Sequence, residues 1–185
     1  MKLVHSIILI KKNIFEHYDF IGLFQYDMEV SSDCFIEIEN TFHKNPNTMF
    51  IVGFFRWHFF GGQAAIVFDF PYFKSGLSTY NSFFNTSFTV PQLLQNHMPS
   101  NNTFVINKNM FKKMMSWLEM YYINNIPTLM VDDDFTFNPG HMIEGLISMF
   151  LSFEVLQGAE FKFSKNNHNE FFFKVLNIFL IMPMF

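Results

Sequence analysis

The chain has 185 residues, half of them hydrophobic, 20% aromatic and only 15% charged, with a formal net charge of −4. That balance excludes global disorder, and the length suits one domain built around one core over residues 1–185. Twelve Lys and Arg residues without a dense basic run argue against nucleic acid as a partner, and the single cysteine, Cys34, excludes an internal disulfide and any CxxC pair.

Twenty-nine phenylalanines, and eleven lysines to one arginine, are the pattern of an AT-rich genome filling permissive positions with AT-rich codons. Cores tolerate apolar swaps of similar size, so the phenylalanines read first as core rather than as a ligand box. Cys34 falls in a helical pattern with no base nearby in sequence and reads as a small buried hydrophobe, not a nucleophile.

In chain order, residues 3–10 form a short apolar run followed by Lys11-Lys12, too short to span a membrane and without a cleavage signature; it reads as a buried strand. Phe20-Ile21-Gly22-Leu23-Phe24 is a second apolar run that stops abruptly at Gln25-Tyr26-Asp27-Met28-Glu29, as a strand buried on both faces does at its sheet's edge. Ser31 or Ser32 caps a helix through about Phe42, Asn45-Pro46-Asn47 is a turn, and residues 49–55 form the next strand. This strand, helix, strand unit predicts a right-handed crossover between parallel strands.

Arg56-Trp57-His58-Phe59-Phe60-Gly61-Gly62-Gln63 follows as an aromatic, glycine-rich loop. Residues 72–85 read as a helical or irregular aromatic stretch, and Thr89-Val90-Pro91 opens a short helix. Residues 103–106 are a third internal strand. Asn107 caps a helix through about Tyr122, with Met110, Phe111, Met114, Met115, Leu118 and Tyr122 on its apolar face. Asn138-Pro139 begins another helix, with an apolar stripe of Ile143, Leu146, Ile147, Phe150 and Leu151, which Gly158 stops. Residues 171–185 are apolar but interrupted by Lys174 and Asn177, and end short of the roughly 20 residues a spanning helix needs. They read as a terminal strand or core helix, with peripheral membrane contact as the alternative. The predicted class is α/β, an open and mainly parallel sheet flanked by helices.

Three polar clusters stand at the ends of apolar elements. Asp27 and Glu29 follow a strand, where ligands of open parallel sheets bind, and could face a cation on a diphosphate; they could as well cap the next helix. Asp132-Asp133-Asp134 precedes His141 and Glu144, which are three apart near a helix start. That pair suits a metal ligand with a general base, or an ordinary exposed pair beside a solvated loop. Arg56, the only arginine, could fork onto phosphate, with Trp57, His58 and Gly61-Gly62 forming a flat sugar-binding wall; it could equally pair with Asp27 or Asp69. No GxSxG, GxxxxGK[ST] or GxGxxG occurs, which removes the standard hydrolase, P-loop and dinucleotide-binding readings.

Residues Tyr18-Asp19-Phe20-Ile21-Gly22-Leu23-Phe24-Gln25-Tyr26-Asp27-Met28 resemble a segment of bacterial and viral glycosyltransferase-like proteins of capsular polysaccharide synthesis. Asn102-Thr103-Phe104-Val105-Ile106, continuing through Phe111, Met114, Met115 and Trp117-Leu118, is similar to their N-T-F-x-I strand and following helix. Gly140-His141-Met142-Ile143-Glu144-Gly145 is similar to a helix start near their acceptor side. The resemblance implies a shortened GT-A fold, a nucleotide-sugar donor, a glycan acceptor, a divalent metal (Mn²⁺ or Mg²⁺) and a cytoplasmic or membrane-peripheral setting.

By that resemblance Asp27, Glu29 and His141 are metal ligands, although the family's acidic motif is D-x-D and this chain has D-x-E. Asp133, Asp134 or Glu144 would resemble the acceptor-activating base; from the residues themselves, Gln25, Tyr26, Arg56, Trp57, His58, Gly61 and Gly62 are the expected substrate contacts. The family spends about a hundred residues on the nucleotide before its acidic motif, whereas 26 precede Asp27 here. The chain is then a fragment lacking the N-terminal nucleotide-binding part, or has a reduced donor half, or binds without catalysing. Two other readings stand beside the enzyme: a non-catalytic glycan- or protein-binding module using the loop from Arg56 to Gln63, and a structural or membrane-associated protein using its phenylalanines.

Overall fold

A computed structural model describes residues 15–23, 32–52, 71–95, 104–129 and 139–163. The predicted strand over 3–10, the terminal segment 171–185 and the aromatic loop 56–63 lie outside them.

The first described strand, β1 (Phe20–Leu23), is followed by α1 (Ser32–Lys44), which carries Asp33 in its first turn and His43 and Lys44 in its last, matching the helix dipole at both ends. Pro46 cannot continue the helix, and Thr48 N–H donates to Asn45 O at 2.9 Å to turn the chain into β2 (Thr48–Val52). The stretch predicted as helical or irregular is a regular helix, α2 (Pro71–Phe84). Asn85, with φ of 52°, ends it: Thr86 N–H reaches back to Asn81 O, and the Asn81 side chain holds Phe88 N–H and the Thr86 hydroxyl. Gln92 Oε1 then accepts from both the Thr89 N–H and the Thr89 hydroxyl, one half of a capping box, at the start of α3 (Val90–Gln95).

β3 (Phe104–Asn107) runs straight into α4 (Lys108–Leu129), and Asn107 Oδ1 accepts from Asn109 N–H as the predicted N-cap. α5 (Pro139–Leu156) ends at Gly158, with φ of 92°. The N–H groups of Gly158 and Ala159 close on Val155 O and Glu154 O, both at 2.9 Å, and β4 (Glu160–Phe163) follows.

Among the described residues, four strands form one sheet in the order β1-β3-β2-β4. β1 and β2 each pair antiparallel with β3, whereas β2 and β4 are parallel, with Ile51 beside Lys162. This corrects the expectation of a mainly parallel sheet. β1 and β2 do run in the same direction, as the strand, helix, strand unit predicts, but β3 inserts between them with reversed polarity. A two-sided apolar strand suggests parallel pairing because helices cover parallel sheets on both faces. Here helices cover both faces of an antiparallel centre, so β3 is equally apolar.

One face of the sheet presents Ile21, Phe50, Phe104 and Ile106 to the main core under α2 to α5. The other presents Ile51, Val105 and Phe20 to Ile38 and Phe42 of α1, with Phe20 and Phe42 stacked at 3.7 Å. α5 packs against α2, α3 and α4. Met142, Leu146, Met149, Phe150, Leu151 and Phe153 are buried all round it, which is why its pattern is wider than a single stripe. Two glycines bring α2 and α5 close: a Cβ on Gly76 would stand 2.6 Å from Leu146, and one on Gly145 2.8 Å from Phe73. Among the described residues, no helix is long and apolar enough to cross a membrane.

Candidate functional site

The direction of each element decides which chain ends can meet. β1, β2 and β4 run the same way, so their carboxyl ends, Leu23, Val52 and Phe163, open at one edge of the sheet. The opposite edge is tied down. Lys108 N–H, at the start of α4, donates to Asp19 O at 2.9 Å, and Lys108 Nζ to Glu16 O. Lys112 sits 2.7 Å from the Glu16 carboxylate, and that hydrogen bond holds the Glu16 carboxyl below its usual range.

α5 returns to that tied edge, since only Gln157, Gly158 and Ala159 separate it from Glu160. It lies antiparallel to α4, with Lys113 against Glu154 and Trp117 stacked on Phe150, and parallel to α2, with Phe73 against Gly145 and Tyr80 against Phe153. The starts of α2 and α5 and the end of α4 therefore share the end of the helical layer away from Asp19 and Glu160.

Gln25, Tyr26, Asp27 and Glu29 belong to the segment that follows Leu23. Arg56, Trp57, His58, Gly61 and Gly62 belong to the one joining Val52 to Pro71, and Asp133 and Asp134 to the one joining Leu129 to Pro139. All of these lie outside the described residues. His141 is the third residue of α5, and Glu144, half-buried, follows one turn later. Among the described residues, no three His, Cys, Asp or Glu side chains are placed to hold a metal ion.

The structure brings together a polar cluster that sequence reasoning did not assemble. Glu154, 4% exposed in the core, accepts from Tyr80 Oη at 2.6 Å on Oε1 and from Lys113 Nζ at 2.7 Å on Oε2. Gln157 Nε2 donates to Tyr80 Oη at 2.7 Å, and Lys113 lies 4.8 Å above the Phe84 ring. Burial, and then the hydrogen bond and negative charge of Glu154, push the Tyr80 hydroxyl above the ordinary tyrosine range, so it remains a donor. Both carboxylate oxygens are engaged, which makes the cluster a clasp between α2, α4 and α5 rather than a place for chemistry. The signal in the sequence is an acid four residues after Phe150, in the strongly apolar second half of the helix.

On the other face, a groove of about 590 Å³ runs between α1 and β4, with Asp33 and Glu37 toward one end of α1 and Lys44 toward the other, and Lys162 from β4. Thr41 Oγ1 and Asn45 Nδ2 in its wall already donate to backbone carbonyls of α1. No protein-family model, curated protein or solved structure matches the chain.

Proposed function

We propose that the chain is a glycosyltransferase-like protein that moves a sugar from a nucleotide-sugar donor to a glycan acceptor. The observation that supports this reading is the common direction of β1, β2 and β4, because ligands of open α/β sheets bind outside the carboxyl ends of their strands.

In this reading the sheet is a shortened, GT-A-like frame whose β3 is reversed. Gln25 and Tyr26 contact the donor, Arg56 forks onto its phosphate, and Trp57, His58 and the Gly61-Gly62 backbone form the sugar wall. A divalent cation, Mn²⁺ or Mg²⁺, belongs to the reading, with Asp27, Glu29 and His141 as its ligands. Asp133, Asp134 or Glu144 takes the proton of the acceptor hydroxyl as it attacks the sugar.

The test is release of nucleoside diphosphate from UDP- and GDP-sugars in the presence of Mn²⁺ and saccharide acceptors. The expected result is turnover abolished by EDTA and lowered about 100-fold or more in one of Asp133→Asn, Asp134→Asn and Glu144→Gln. No turnover with any donor, together with saccharide binding indifferent to EDTA and to Asp27→Ala, would overturn the enzyme in favour of a binding module using the Arg56 to Gln63 loop.

A further inference from the structure

We draw no further inference here: the strongest candidate, the groove between α1 and β4, is lined by side chains none of which is buried, and nothing in the structure shows what covers it.

Discussion

Glu154 concentrates the electrostatic stakes of the fold in one carboxylate. A buried charge is tolerated only while its partners remain, so removing one of them is expected to cost more than replacing the whole set. Lys113→Met leaves Glu154 without its cation but with its Tyr80 hydrogen bond and should lower the unfolding free energy by about 1–3 kcal/mol in urea titration, less than for a fully buried pair because Lys113 is partly exposed. Adding Glu154→Leu to Lys113→Met should recover much of that loss; equal losses in the single and double variants would show that the clasp is not coupled. Tyr80 adds a pH dependence of definite sign. Above about pH 10 an unfolded tyrosine releases its proton while folded Tyr80 keeps it, so this residue's stabilisation is complete below pH 10 and falls as pH rises. The slope is about 1.4 kcal/mol per pH unit per proton, and Tyr80→Phe should lose that component of the alkaline decline in thermal melts. The clasp was hard to read from sequence because each member looked ordinary in isolation. Lys113 sits on the wet face of its helix pattern, Tyr80 among aromatics, and only the packing of three helices makes them neighbours.

At the scale of elements, the helices were legible and the strand pairings were not. Asn107, Thr89 and Gly158 mark helix ends through bonds made within a few residues, so the local sequence carries the information. Met110, Phe111, Met114, Met115 and Leu118 are buried as their spacing predicts, whereas Trp117 and Tyr121, also buried, widen the face because α2 and α5 flank α4 as the sheet does. Gly158 has nothing within 4 Å of the position a Cβ would take, so Gly158→Ala isolates backbone strain, expected at about 1–2 kcal/mol by chemical denaturation. Gly76→Val tests the opposite case, where the backbone is relaxed and the space is filled. Overpacking against Leu146 is expected to cost about 1–3 kcal/mol, and an unchanged unfolding midpoint would show that α2 and α5 can part. The reversed polarity of β3 had no such local mark. Phe104, Val105 and Ile106 are apolar on both faces, and the strands that define its direction, β1 and β2, lie far earlier in the chain.

The described residues form three layers, α1, the sheet and the helices α2 to α5, whose ends differ in character. One end is closed by short connections: Asp19 bonded to Lys108, and α5 joined to β4 through Gln157, Gly158 and Ala159. At the other, Leu23, Val52 and Phe163 open from the sheet, while Leu129 and the first residues of α2 and α5 share the matching end of the helical layer. The segments bearing the acidic pair, the arginine loop and the aspartate run continue from these ends. Those segments lie outside the described residues, and of the sequence-predicted site only His141 and Glu144 are placed, near the start of α5. The direct test of the account is isothermal titration of the protein with UDP- and GDP-sugars, with and without Mn²⁺, for the natural sequence and Asp27→Ala. The account expects Mn²⁺-dependent binding of at least one donor that disappears in Asp27→Ala; absence of metal-dependent binding to every donor would contradict it.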